Sequence, residues 1–285
     1  MKILFNVFGF PVHFLGVMVA VGFVAAIIVA YFEVKRKGLD AEKLLDLALF
    51  STISGIVGAR LFYILFYNLP FYLKNPLEIF NITEGGLSIH GGLIAAIAVG
   101  YLYIRMNNLN FFKYTDAVAP GIILAQGIGR VGCDVFGTAM KTPYFWGVNY
   151  NGQLVHPAQV YEFLLNYLVF FILWRKRKHI KYNGQIFIWY IILFAINRGV
   201  VELFRTNPLI LGWFTVSHLL SVIFIVLALT LLYLMKKGIL GPIAVEPEEI
   251  VNPTGEKRAL ILLKDIAIVL AIAAVSLFIY YTAWK

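Results

Sequence analysis

Repeated apolar runs of about 20 residues, the length at which an α-helix crosses a bilayer core, constrain this chain more than any other feature. They cover residues 11–31, 44–67, 85–104 and 114–138, a fifth run ending at Trp174, then 184–204, 211–235 and 260–284. In lipid, backbone polar groups must be satisfied inside the segment or around a closed barrel, so runs of this length fold as helices. Composition agrees: 61% of residues are hydrophobic and 14% charged, against about 25% charged in soluble domains. The expected class is all-α: a polytopic integral membrane protein with seven core transmembrane helices and an extra C-terminal one.

The interruptions supply the organisation. Pro70, Asn75 and Pro76 break the pattern after the second run, and residues 71–80 read as a short aromatic segment in the interface. Residues 140–156 are polar and turn-rich. Pro242, Pro247 and Pro253, with Glu246, Glu248 and Glu249, mark a linker. The expected division is a transmembrane domain over 1–235, a cytoplasmic linker over 236–257 and an added hydrophobic helix over 258–285. The N-terminus has one Lys and no small-residue cleavage site, so the first run reads as a retained span.

Net charge is +9. In a soluble chain that would suggest nucleic acid; here it points to loops facing an anionic leaflet, with no nucleic-acid partner. Of the 24 Lys and Arg, sixteen fall in alternate loops on one side, around Lys35 to Lys43, Arg105 to Lys113, Arg175 to Lys181, Lys236-Lys237 and Lys257 to Lys264. Lys2, Lys74, Lys141, Arg205 and Lys285 fall on the other. The first side is expected to be cytoplasmic.

Three arginines, Arg60, Arg130 and Arg198, lie inside apolar runs. A charge there costs roughly 2.5–3.5 kcal/mol on insertion scales, so each needs a partner or an anionic ligand. Asp134 and Glu202 stand four residues after Arg130 and Arg198, on the same face of a helix. Arg130 therefore reads either as a ligand for phosphate, which suits its planar fork of donors, or as a strut to Asp134. Gly127, Gly129 and Gly132 would let a lipid headgroup or a neighbouring helix come close. Arg205, seven residues after Arg198, either joins that face or snorkels to the interface.

His90, in Gly85-Gly86-Leu87-Ser88-Ile89-His90-Gly91-Gly92, can exchange a proton near neutral pH or serve as a hydrogen-bonded structural group. The other four histidines are dispersed without ligand spacing, so no metal site is expected. Cys133, the single cysteine, excludes an internal disulfide and reads as a small buried hydrophobe.

Taken together these blocks resemble the prolipoprotein diacylglyceryl transferase family of the bacterial inner membrane. The matching stretches are Gly58-Ala59-Arg60, Gly86 to Leu93, Gln126 to Gly132, the tract from Trp146 through His156-Pro157-Ala158-Gln159-Val160-Tyr161-Glu162, and Arg198 to Arg205. They span about residues 10–235. Cys133 stands where the family block continues with Asn, Thr138 where Glu is common, and Phe194 where many members carry Tyr.

The resemblance implies transfer of the diacylglyceryl group from phosphatidylglycerol to the lipobox cysteine of a prolipoprotein, at its signal-peptide region. No cofactor is implied. Its implied site is Arg130 and Arg198 on the phosphate, Glu202 orienting Arg198, and His90 deprotonating the thiol. Arg60, Gly91, Gly92, Gly129, Gly132, Asp134 and Arg205 are its implied substrate-binding residues. Two other classes stay open: a relative that binds lipid or lipoprotein without transfer, and a small-anion transporter, which also suits buried arginines and broken helices.

Overall fold

The computed structural model describes residues 2–7, 9–81, 85–212, 214–239 and 255–284. A hairpin of β1 (Ile3–Val7) and β2 (Phe10–His13) leads into α1 (Phe14–Arg36). Then come α2 (Ala41–Tyr67), α3 (Leu69–Lys74), a 3-10 turn (Pro76–Ile79), α4 (Ile89–Met106) and α5 (Phe111–Val131). A second hairpin, β3 (Val148–Tyr150) and β4 (Gln153–Val155), precedes α6 (Ala158–Lys176) and α7 (Gln185–Glu202). A third, β5 (Leu209–Leu211) and β6 (Phe214–Thr215), precedes α8 (Val216–Lys236), and α9 (Gly255–Trp284) ends the chain.

Six of these helices are long and apolar enough to cross a membrane: α1, α2, α4, α7, α8, and α9 over Arg258–Trp284. Their large apolar side chains, such as Val24, Ile28, Leu65, Phe66 and Phe278, are exposed, as a surface facing lipid requires. The chain is a polytopic helical membrane protein. Eight runs were expected to span, and six helices among the described residues meet this measure of length and apolarity. The segments expected as the fourth and fifth spans are helices of 21 and 19 residues, but α5 carries Asp116, Gln126 and Arg130, and α6 carries Gln159, Glu162 and Asn166. Ten of the residues of α6 are buried, so its polar groups are spent on protein neighbours rather than on lipid. The expected interfacial segment over 71–80 is α3 and the 3-10 turn. Of the expected linker, residues 240–254 lie outside the described residues.

The chain divides into two compact units, residues 31–114 and the remainder. In the 31–114 unit, α2 and α4 pack through small residues. A Cβ on Gly58 would meet the Ala95 methyl and the Gly91 carbonyl, and one on Gly92 would lie 3.1 Å from the Gly55 carbonyl. Gly100 faces Ser51 in the same way. Close backbone approach of this kind is a common means of helix association in lipid, where burial of apolar surface gives no preference for protein over tails.

In the other unit, α6 is the central helix, with α7 and α9 packed on it and α8 on α7. Asn197 Nδ2 donates to Asn166 Oδ1 across the α6–α7 contact at 2.6 Å, with both side chains buried. Asp116 on α5 accepts from the backbone N–H groups of Gly184 (2.8 Å) and Phe187 (3.0 Å). Those are orphan donors at the start of α7, where a carboxylate also meets the favourable end of the helix dipole. The acidic residue that looked out of place in an apolar run is thus a cap for another helix.

The polar tract after α5 forms a small β layer at the helix ends. Asn151 (φ 51°) and Gly152 (φ 78°) make the two-residue turn between β3 and β4, where positive φ at both positions matches the twist of a hairpin. Residues 137–139 bridge β4 on one side and Arg205 on the other, through Gly137 N–H to His156 O (2.8 Å) and Thr138 N–H to Phe204 O (2.8 Å). A Cβ at Gly137 would strike both carbonyls, so the layer needs glycine there.

Candidate active site

Next to that β layer, three helix ends bring charged side chains together. Arg130 is in the last turn of α5, where unsatisfied carbonyls favour a cation. Glu162 is near the start of α6, Arg198 and Glu202 near the end of α7, and Arg205 just past it. Glu162 is the hub. Its Oε1 is 2.9 Å from Arg130 Nε, and its Oε2 is 3.7 Å from Arg198 Nη1 and 3.9 Å from Arg205 Nη1.

Glu202, with a fully buried side chain, stands 2.9 Å from Arg198 Nη2 and 3.7 Å from Arg205 Nε. Its other oxygen accepts from Asn207 Nδ2 (2.6 Å) and Thr215 Oγ1 (2.8 Å). Thr215 is also the N-cap of α8 and receives the backbone N–H of His218. Arg198 Nη2 donates to Ser217 Oγ, 2.9 Å away in the first turn of α8. The cap that starts α8 therefore also holds the carboxylate that holds Arg198.

Two properties follow. First, three guanidiniums face two carboxylates, which leaves this five-residue cluster one positive charge in excess. Burial, then the charges of Arg198 and Arg130, push the Arg205 guanidinium below its ordinary pKa; an anion would relieve that repulsion. Second, the donors are in surplus. Arg198 Nη1 and Arg205 Nε are buried without a hydrogen bond among the described residues, and unspent buried donors cost free energy until something accepts from them. The Arg130 side chain stays 31% exposed, so the cluster is open at that edge.

An aromatic group borders it. Tyr161 accepts from Trp146 Nε1 at 3.0 Å, lies 3.0 Å from His156 Nδ1, and packs edge-on to Phe204. Among the described residues, no three His, Cys, Asp or Glu converge as metal ligands would.

A model of the prolipoprotein diacylglyceryl transferase family matches residues 2–234. The phosphatidylglycerol–prolipoprotein diacylglyceryl transferase of Clostridioides difficile (strain 630) is 36% identical over 240 residues, 83% of this chain and 96% of the relative. That of Finegoldia magna is 35% identical over 246 residues, 84% and 97% respectively. That of Staphylococcus aureus (strain MSSA476) is 35% identical over 243 residues, 80% and 86% respectively. The chain belongs to the prolipoprotein diacylglyceryl transferase family.

Of the residues singled out in this transferase sequence, Arg130, Arg198, Glu202 and Arg205 are brought together. Arg205 turns inward, with its side chain 12% exposed, where snorkelling was the alternative. The Arg130–Asp134 helical pair is corrected: α5 ends at Val131, so Asp134 lies outside the helix, beyond the turn at Gly132, and Arg130 pairs with Glu162. Gly132 gives its space to α1, with Leu15 Cα 2.8 Å from where a Cβ would be, whereas Gly129 meets only Val19 at 3.6 Å.

Arg60, His90, Gly91 and Gly92 belong to the 31–114 unit. The five N–H donors of Arg60, expected to meet substrate, are taken by backbone carbonyls. Nε donates to Ile79 (3.0 Å), Nη1 to Gly85 (2.9 Å) and Gly86 (3.0 Å), and Nη2 to Glu78 (2.5 Å) and Asn81 (2.7 Å). Gly91 and Gly92 are filled by α2, through Phe62, Gly58 and Gly55. His90 is exposed in the first turn of α4.

The residue that sequence reasoning missed is Glu162. It stood inside a matched block, but nothing in its spacing points to arginines on three other segments.

Proposed function

We propose that this chain transfers the diacylglyceryl group of phosphatidylglycerol to the lipobox cysteine in the signal-peptide region of a prolipoprotein, in the bacterial cytoplasmic membrane. The cysteine sulfur attacks the glycerol carbon that carries the phosphate. A C–S bond forms, the C–O bond breaks, and glycerol phosphate leaves with the electron pair. The single observation that carries this reading is the one-charge excess of the cluster Arg130, Arg198, Arg205, Glu162 and Glu202, with donors unspent, in a chain of this family.

The charge matters because the phosphodiester begins with one negative charge and departs as a monoester with more. Donors aimed at that growing charge bind the transition state more tightly than the ground state, which is what accelerates a reaction. Arg130 and Arg198 take the phosphate oxygens. Glu202, fixed by Asn207 and Thr215, orients Arg198. The thiol must lose its proton to be a good nucleophile, and His90 is assigned that task on its chemistry. The basic asymmetry of the loops puts Arg175 to Lys181 in the cytoplasm and the β layer outside.

One experiment tests transfer and orientation together. Right-side-out membrane vesicles containing this chain, loaded with labelled phosphatidylglycerol, receive a lipobox peptide from outside. The expected outcome is a labelled thioether on that peptide and none on its Cys→Ser version. Labelling only in inverted vesicles would reverse the orientation. Labelling in neither, where a family member works, would leave binding without transfer.

A further inference from the structure

The family match ends at residue 234, before α9 begins, yet α9 reaches the arginine site through a chain of hydrogen bonds. Its inner face carries Asp265, Ser276, Tyr280 and Tyr281. Asp265 pairs with Arg175 at 2.9 Å. Ser276 bonds the Tyr167 hydroxyl at 2.7 Å, and Tyr281 donates to the Trp146 carbonyl at 2.7 Å. Those three would serve a helix that only has to stay docked.

Tyr280 is different in what it touches. It is fully buried, and its hydroxyl donates to Gln159 Oε1 at 3.2 Å. Gln159, 2% exposed, donates through Nε2 to the Cys133 carbonyl at 3.3 Å. Cys133 belongs to the turn that closes α5, and its Sγ lies 3.6 Å from Arg130 Nη1. A glutamine amide can present either its oxygen or its nitrogen to a neighbour. The Cys133 carbonyl accepts only from the nitrogen. That carbonyl, which can only accept, sets the orientation, and the Tyr280 hydroxyl donating to the oxygen at the other side holds the amide in place.

We propose that α9 carries a positioning residue for the transfer site: Tyr280, acting through the Gln159 amide, fixes the turn that holds Arg130. The inference rests on the transferase reading for its effect on rate, but not for its effect on the turn. Without the hydroxyl, Gln159 Oε1 loses its donor in a buried position and the amide is no longer held on that side. The amide shifts, its bond to the Cys133 carbonyl weakens, the turn loosens, and Arg130 leaves the position in which Glu162 and the phosphate both meet it.

The test uses the purified full-length chain in four forms: unchanged, Tyr280→Phe, Gln159→Ala and the double variant. Cys133 is the sole thiol and is partly exposed, so its alkylation rate reads the turn without any transfer. Tyr280→Phe is expected to lower transfer about five-fold and raise Cys133 alkylation by a similar factor, as loss of one net hydrogen bond allows. On the Gln159→Ala background the same substitution should change neither rate by more than about 1.5-fold, since the two residues act as one unit.

Gln159→Glu keeps an acceptor for Tyr280 but sets a carboxylate against the Cys133 carbonyl, and should speed alkylation by itself. Equal effects of Tyr280→Phe in both backgrounds would overturn the proposal, as would an unchanged alkylation rate. An alkylation pattern as expected in a chain with no transfer would leave the inference standing and remove the transferase reading.

Discussion

Arg60 and Arg198 both bury a guanidinium in an apolar helix, and they are satisfied in opposite ways. Arg60, 6% exposed, has five donors on five backbone carbonyls and its plane over the Tyr72 ring, with its centre 5.0 Å away. It meets dipoles only, and nothing is left over. Arg198 meets two carboxylates and a hydroxyl, shares those carboxylates with two other arginines, and retains a buried donor with no hydrogen bond. The first arrangement closes a loop; the second is charged, underfilled and ready for an acceptor. The two differ in the state of their donors, and that difference is what the proposed phosphate role of Arg198 rests on.

Removing Glu162 should break the contrast most strongly. Glu162→Ala leaves Arg130, Arg198 and Arg205 facing one another with only Glu202 between them. Loss of one partner from a buried charge set costs about 3–5 kcal/mol. A large drop in the thermal midpoint is expected, together with loss of transfer, and millimolar phosphate should recover part of the midpoint by replacing the lost negative charge. A midpoint equal to that of the parent chain would mean the cluster is not a coupled unit.

A smaller, cleaner effect is expected at Arg198. Lysine keeps the charge but offers a point ammonium in place of a fork, so it can serve Glu202 or the phosphate but not both. Arg198→Lys should lower the transfer rate by about 10²–10³, the usual cost of one donor aimed at developing charge, with the midpoint nearly intact. A fully active Arg198→Lys protein would make this arginine as structural as Arg60.

How much of this was legible in the sequence depended on how far each signal reached along the chain. The helical spans were legible because length and apolarity are local. The Arg198–Glu202 pair was legible because both residues sit in one helix, which runs as far as Glu202. Arg130 and Asp134 have the same spacing, but the turn at Gly132-Cys133 ends α5 between them. The partners that matter most are on other elements: Glu162 for Arg130, Gly184 and Phe187 for Asp116, Gln159 for Tyr280. No periodicity reports such contacts. The β3–β4 hairpin was announced by Asn151-Gly152, a strong turn signal, yet the tract read only as polar and turn-rich. The cage around Arg60 was not legible for a related reason: its acceptors are backbone carbonyls, which every sequence contains and none displays.

That cage gives the remaining prediction, at Arg60 itself. The five carbonyls converge from Glu78, Ile79, Asn81, Gly85 and Gly86, and Ser88 N–H bonds the Ala59 carbonyl at 3.0 Å beside them. The guanidinium therefore ties α2 to the segment that leads into α4 and its His90. A lysine has three donors on one nitrogen and cannot span acceptors spread around a planar fork. At least two carbonyls lose their donor in Arg60→Lys, at a cost of about 2 kcal/mol.

The midpoint should fall, and backbone amide exchange over residues 75–88 should rise. Transfer per folded molecule should stay within about three-fold of the parent, because no donor of Arg60 is left to face phosphate. This is the reverse of the Arg198→Lys pattern. If Arg60→Lys keeps its midpoint and loses transfer, the carbonyl cage is incidental and Arg60 belongs with the phosphate ligands after all.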